Sequence, residues 1–173
     1  MRKESIVLIG MAGTGKSTIG LGLAKALAFN FTDLDEYIRN VDGQTIQSVI
    51  DKKGEDALLF LEKQRMYELN MKHRVVAPGG SIIYHPDLMK YLKERSFLVH
   101  LDDNFENIKG RLKNASTRGI VGFKSKSLRQ IYNERQPLYS KYADLIINQK
   151  GKSKEKVISE IIKHYLIFCL ENT

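Results

Sequence analysis

The sequence predicts a three-layer α/β fold, with a five-stranded parallel sheet that carries helices on both faces. Two observations support it. Short apolar runs alternate along the chain with stretches of helical periodicity. A glycine-rich turn also joins the first apolar run, Ser5–Ile9, directly to the first helical stretch. The length of 173 residues suits one domain with its own core, so we predict a single domain over residues 1–173.

The alternation places five strands and the helices between them. The predicted strands are Ser5–Ile9, Phe31–Asp35, Arg74–Ala77, Phe97–Leu101 and Asp144–Asn148. Helices are predicted after the first glycine turn, before Gly43, and over residues 45–51, 54–71, 86–95, 105–112, 128–139 and 154–170. Residues 113–127 are polar and lack periodicity, which predicts a mobile loop. In this architecture ligands bind at the carboxyl ends of the strands.

The glycine-rich turn fits a phosphate-binding motif. Residues Gly10–Thr18 match G-x-x-x-x-G-K-[ST], the P-loop, between a strand and a helix as the motif requires. Backbone N–H groups and the helix N-terminus can surround phosphate oxygens, while Lys16 reaches the β- and γ-phosphates and the Ser17 hydroxyl binds Mg²⁺. The predicted nucleotide-binding residues are Gly13, Thr14, Gly15, Lys16, Ser17 and Thr18. The chain is thus expected to bind ATP or GTP.

Several classes of P-loop protein do not fit. The guanine-binding Asn-Lys-x-Asp element of GTPases is absent, and Asp51–Gly54 matches Asp-x-x-Gly only within helical, lysine-rich sequence. The chain is too short for a motor or an AAA-type ATPase. These exclusions leave a small kinase, which uses ATP with Mg²⁺ as its cofactor.

Composition limits the partners and the compartment. The net charge of +8 is spread along the chain without a basic run interleaved with aromatic residues, so we expect no nucleic-acid partner. No apolar run approaches the length of a membrane span, and the scattered histidines indicate no histidine metal site. The single cysteine, Cys169, excludes an intrachain disulfide and indicates the reducing cytoplasm. We expect the chain to act as a monomer.

The acidic and basic residues after the later strands suggest a second substrate site. Asp33 can hold Mg²⁺, and Asp35, on the same strand face by the two-residue period, can orient an attacking hydroxyl, although helix capping is an alternative. Gly79 and Gly80 allow close approach of a substrate, or form a generic turn. Arg135 can clamp a carboxylate with its planar guanidinium, or lie on a helix surface.

The order of the motifs resembles the shikimate kinase family over nearly the whole chain. The resemblance rests on Gly10–Thr18, on Phe31–Asp35 as the D-x-D signature, on Gly54-Glu55, on Gly79-Gly80, and on Arg135–Tyr139 with Ala143-Asp144. It implies ATP-dependent phosphorylation of a hydroxyl on a small carboxylate, shikimate to shikimate 3-phosphate in that family. It also implies an adenine-side arginine, Arg111, and a lid arginine, Arg118, which acts on the transferred charge together with Lys16 and Asp35.

Two departures fall in the acceptor half of the site, which we predict within about residues 33–62 and the Gly79-Gly80 turn. Leu59 stands where the family places an arginine that binds shikimate, and Ser81 replaces a third glycine. One interpretation is a divergent shikimate kinase in which Arg135 alone binds the carboxylate. Another is a kinase of a different small hydroxy acid, such as homoserine or gluconate. A catalytically silent nucleotide-binding regulator is the third.

Overall fold

The computed structural model describes residues 3–112 and 119–172 of the chain. Its centre is a five-stranded sheet in the order β2-β3-β1-β4-β5, with every neighbouring pair parallel. The strands are β1 Ser5–Ile9, β2 Asn30–Asp33, β3 Arg74–Ala77, β4 Ser96–Asp102 and β5 Leu145–Asn148. The predicted α/β class with a five-stranded parallel sheet is confirmed.

The helices follow the predicted alternation. Their bounds are α1 Lys16–Leu27, α2 Leu34–Asp42, α3 Ile46–Lys53, α4 Glu55–Glu68, α5 Pro86–Arg95, α6 Phe105–Arg111, α7 Leu128–Tyr142 and α8 Lys154–Glu171, with a short 3₁₀ helix at Ile82–Tyr84. Thr45, Asn104, Ser127 and Ser153 begin four of them, since each side chain accepts a hydrogen bond from a backbone N–H of the first turn. Among the described residues, no helix has the length and apolarity needed to cross a membrane.

The sheet separates two apolar layers. Ile6 and Leu8 of β1 pack with α1 and α8, whereas Val7 and Ile9 pack on the opposite face with residues from α2 to α7. This alternation follows from the two-residue period of a strand. Burial of one such aliphatic side chain stabilises the fold by about 1.5–3 kcal/mol, so β1 anchors both layers beneath the P-loop.

The end of β2 differs from the prediction. The strand ends at Asp33, whose side chain accepts hydrogen bonds from the N–H groups of Asp35 and Glu36, at 3.1 and 3.3 Å. Asp33 is therefore the N-cap of α2, and Asp35 lies in the first helical turn rather than on the strand. The prediction that the two aspartates share a strand face was wrong, because this local capping ends the strand early.

The described part of the predicted lid packs against the helices. Residues 119–127 contain turns and neither a helix nor a strand, and Ile120 and Val121 are buried. The N–H of Gly119 donates to Oε1 of Gln47 at 2.9 Å, and the N–H of Gly122 donates to Oε1 of Glu55 at 2.8 Å. Arg118 lies outside the described residues.

Candidate active site

A cavity of about 410 Å³ lies at the carboxyl end of the sheet. It collects most of the predicted site residues, which are Gly13, Gly15, Lys16, Ser17, Thr18, Asp33, Asp35, Gly79, Gly80, Arg111 and Arg135. Thr14 lines a second cavity of about 450 Å³ that shares Gly15, Thr18 and Arg111 with the first. The P-loop therefore borders two adjacent cavities.

The P-loop presents backbone donors and one buried lysine. Gly13 and Gly15 have φ values of +85° and +86°, a region that favours glycine. Gly15 begins α1 without a side-chain cap, which leaves the first N–H groups of the helix available to an anion. Lys16 donates from Nζ to the carbonyls of Gly10 and Met11, at 2.8 and 2.9 Å. Burial lowers the pKa of Lys16 to about 8, and Asp35 opposes this shift.

Arg111 is fixed beside the P-loop by a residue that sequence reasoning missed. One guanidinium nitrogen donates to Oδ2 of Asp103 at 2.8 Å and to the carbonyl of Gly13 at 3.0 Å. Asp103 is buried at the end of β4. Its position directly after a strand at the ligand-binding edge was the available signal. Gln149, also missed, donates to the carbonyl of Thr14 at 3.0 Å.

Ser17 and Asp33 meet at the edge of the cavity, where the Ser17 hydroxyl donates to Oδ2 of Asp33. A hydroxyl and a carboxylate are the oxygen ligands that Mg²⁺ prefers, so the pair fits the predicted metal site. Asp35 lines the same cavity from α2. Burial raises the pKa of Asp35 to about 6, with a further contribution from Asp33 and an opposing one from Lys16.

Arg135 is buried within α7 and reaches the cavity. It donates from NH2 to the carbonyl of Val121 at 2.8 Å and from Nε to the Tyr84 hydroxyl at 3.2 Å. A Cβ added to Gly80 would lie 3.0 Å from NH1, so this nitrogen borders the turn. The alternative of a surface arginine is excluded, because only 1% of Arg135 is exposed.

Tyr84 links Arg135 to the residues that follow the predicted lid. Its hydroxyl donates to Oε1 of Glu134 at 2.6 Å, and Lys126 donates to Oε2 of the same carboxylate. The roles of Tyr84, Glu134 and Lys126 depend on tertiary contacts that the sequence analysis did not predict. One chain of hydrogen bonds thus runs from residues 119–127 to the acceptor side of the cavity.

Glu62 is a buried residue of the cavity that the sequence analysis did not predict. It lines the cavity from α4, only 1% of it is exposed, and its Oε2 accepts a hydrogen bond from the Ser81 hydroxyl at 2.7 Å. A Cβ on Gly79 would lie 2.2 Å from its Oε1, so the carboxylate rests against that glycine. Burial raises the pKa of Glu62 to about 7. The signal that the sequence offered is Glu62 itself, which ends the family motif that begins at Gly54-Glu55.

The side chains that could replace the family's arginine do not reach this site. Leu59 is half-buried against the apolar core and is not among the described residues that line the cavity. Arg65, six residues further on, is bound by Asp42 and Glu68, each at 2.6 Å. Within the described residues, α4 therefore brings a carboxylate to the cavity and no positive charge.

Comparison with known proteins identifies the family of the chain. A family model described as shikimate kinase matches residues 12–166. The chain belongs to the shikimate kinase family. A shikimate kinase of Persephonella marina is 34% identical over 161 residues, which cover 92% of this chain and 97% of that protein. Family membership also confirms the predicted enzyme class, an ATP-dependent kinase that transfers a phosphoryl group to a hydroxyl.

Solved structures of the family share the fold. A shikimate kinase from Acinetobacter baumannii, in complex with shikimate, has a TM-score of 0.87 at 30% identity and covers 94% of this chain and 93% of its own. A shikimate kinase from Aquifex aeolicus has a TM-score of 0.80 at 29% identity, with coverages of 96% and 98%. These likenesses confirm the P-loop kinase architecture predicted from the motifs.

Proposed function

We propose that this chain transfers the γ-phosphoryl group of ATP to an alcohol hydroxyl of a small carboxylic acid. Shikimate is the first candidate acceptor, because the relatives are shikimate kinases and one of them is solved in complex with shikimate. The observation that carries the proposal is the single cavity in which Lys16 of the P-loop, the carboxyl of Asp35 and the guanidinium of Arg135 meet. A phosphate site, a proton acceptor and a carboxylate site are the three parts that such a transfer needs.

The nucleotide half consists of the P-loop and its neighbours. The phosphates bind the free N–H groups of α1 and the ammonium of Lys16, and the base extends past Arg111 into the second cavity. Ser17 and Asp33 would hold Mg²⁺, which neutralises phosphate charge when bound. We retain the prediction that Arg118 approaches the phosphates from a lid over residues 113–127.

In the transfer step, Asp35 orients the acceptor hydroxyl by accepting its hydrogen bond. The hydroxyl oxygen forms a bond to the γ-phosphorus while the bond from that phosphorus to the bridging oxygen of ADP breaks. The hydroxyl proton passes to the Asp35 carboxylate. A pKa of about 6 suits this role, because the group is mostly ionised at neutral pH and is a stronger base than an ordinary carboxylate.

The acceptor carboxylate binds Arg135. Contacts with Val121 and Tyr84 use one NH2 hydrogen and the Nε hydrogen, and Tyr139 also hydrogen-bonds the guanidinium, so two of its five donors remain for a carboxylate. Gly79 and Gly80 let the backbone lie close to the bound acid, since side chains there would overlap Glu62 and Arg135.

Leu59 favours a second candidate, a kinase of another small hydroxy acid such as homoserine or gluconate. Without the family's arginine, shikimate loses one charge-assisted contact, which typically contributes about 1.5–3 kcal/mol. A silent nucleotide-binding regulator is less well supported, because Lys16, Ser17, Asp33 and Asp35 are all in place. We further propose one domain over residues 1–173, active as a monomer in the cytoplasm and without nucleic-acid or membrane partners.

ADP release measured with ATP, Mg²⁺ and a panel of hydroxy acids tests the proposal. We expect at least one acceptor to raise ADP release well above the rate with ATP alone, and Asp35→Asn to remove that increase while ATP binding persists. Tight ATP binding with no acceptor-dependent release would contradict the proposed function and favour the regulator.

A further inference from the structure

Glu62 is a buried carboxylate without a direct cation partner among the described residues, and Arg135 and Lys16 act on it only beyond ion-pair distance. Its hydrogen-bond donor within residues 3–112 and 119–172 is the neutral Ser81 hydroxyl, and no ion pair involving it occurs in that part of the chain. An ionised carboxylate held away from water is costly unless a positive charge compensates it. Because Glu62 also lines the acceptor cavity, a bound ligand can supply that charge.

The absence of a direct cation partner for Glu62 coincides with the departure from the family at Leu59. Leu59 precedes Glu62 by three residues on α4, and side chains at that spacing are neighbours on a helix surface. The family's arginine at this position would have stood beside the carboxylate. Among the described residues, the proposed acceptor side of the cavity carries the carboxyl groups of Asp35 and Glu62 and the guanidinium of Arg135. A purely anionic acceptor adds to this negative excess, whereas a zwitterion does not.

The positions of Glu62 and Arg135 suit a small zwitterion. Oε1 of Glu62 rests against Gly79, and NH1 of Arg135 rests against Gly80. Consecutive Cα atoms are about 3.8 Å apart, so a site for a cation and a site for an anion border adjacent points of one turn. An α-amino acid carries its ammonium and carboxylate on the same carbon, which matches this close placement.

Other charged groups face Glu62 and set its protonation. The pKa of Glu62 is raised to about 7, mainly by burial and also by Asp35 of α2, against the opposing effects of the Ser81 hydroxyl, Arg135 of α7 and Lys16 of α1. Protonated and ionised forms are therefore both accessible near neutral pH. An ammonium group selects the ionised form, and an anionic ligand selects the protonated one.

We propose that the acceptor carries an ammonium group bound by the Glu62 carboxylate and the Ser81 hydroxyl, beside the carboxylate bound by Arg135. The substrate class is then a small α-amino acid with a side-chain hydroxyl, of which homoserine is one member. This inference rests on the proposed phosphoryl transfer and specifies its acceptor.

Matched acceptors that differ only in the amino group give the test. The pairs are homoserine with 4-hydroxybutyrate, threonine with 3-hydroxybutyrate, and serine with 3-hydroxypropionate, and shikimate is assayed beside them by ADP release. For the best pair we expect kcat/KM to be tenfold to a hundredfold higher with the amino acid, the ratio expected for one charge-assisted contact. KM for the amino acid should also fall as pH rises through about 7, where Glu62 ionises.

Two variants assign the preference to Glu62. Glu62→Gln keeps the shape and the Ser81 contact, and should reduce the ratio within the best pair to about one while ATP affinity stays unchanged. Leu59→Arg supplies an internal cation and should lower kcat/KM for the amino acid at least tenfold. If Glu62→Gln folds poorly, the kcat/KM ratio within the best pair in the wild type and the kcat/KM for the amino acid in Leu59→Arg still test the proposed ammonium site.

The outcomes separate this inference from the proposed function. A wild-type ratio of one or less in every pair, or turnover of shikimate alone, would overturn the inference and leave the kinase function intact. ADP release that no acceptor raises would contradict both. A preference for the amino acid that survives in Glu62→Gln would also overturn the assignment of the ammonium site.

Discussion

The two halves that we propose for the cavity, one for the nucleotide and one for the acceptor, are built in different ways. The nucleotide half comes mainly from one continuous segment, Gly10–Thr18, and relies on backbone N–H groups. The acceptor half comes from side chains on separate elements, with Asp35 on α2, Glu62 on α4 and Arg135 on α7. A single substitution such as Leu59 can therefore change the charge of the acceptor half while the phosphate site stays as it is.

The largest expected effect concerns the nucleotide half. Lys16→Met should lower kcat by about 10³-fold, since a buried cation that stabilises the transferred charge is lost. Rapid-quench or coupled kinetics measure the rate, and Lys25→Met, at an exposed position on the same helix, should retain wild-type activity. Equal losses in the two variants would mean that Lys16 acts only through the stability of α1.

The acceptor half should respond separately to Gly79→Ala. A Cβ at this position would lie 2.2 Å from Oε1 of Glu62, so the carboxylate must move out of its place. We expect acceptor kcat/KM to fall by about 10²-fold with KM for ATP within about twofold of wild type. Gly110→Ala is the matched control, because nothing lies within 4 Å of a Cβ there. A parallel rise in KM for ATP would argue against two separable halves.

Lowering the pH should reduce acceptor kcat/KM by less than the two substitutions above. Asp35 must be ionised to accept the hydroxyl proton and its pKa is about 6, so acceptor kcat/KM should fall towards tenfold per pH unit below about pH 6. A profile of kcat/KM from pH 5 to 8 measures this limb. The limb should persist in Glu62→Gln, which removes the other titrating carboxyl of the cavity. A flat profile of kcat/KM between pH 5 and 7 would contradict the role of Asp35 as the acceptor of the hydroxyl proton.

The contrast also explains what the sequence could predict. β1, β3 and α5 have the predicted bounds because apolar runs and Pro86 mark them locally. The end of β2 was misplaced because the capping bond of Asp33 decides it. Glu62 was missed because its burial depends on packing α4 against a turn 19 residues away, which periodicity along one helix does not report. Sequence periodicity does not report which side chain will cap a helix or which residues distant in sequence will pack together.

We infer that Leu59 alters the acceptor half and leaves the nucleotide half unchanged. Steady-state kinetics of Leu59→Arg with shikimate and ATP test it most directly. We predict that kcat/KM for shikimate rises at least tenfold over wild type, since the variant restores a charge-assisted contact, while KM for ATP stays within about twofold. A wild type that turns over shikimate at least as well as Leu59→Arg would contradict the account.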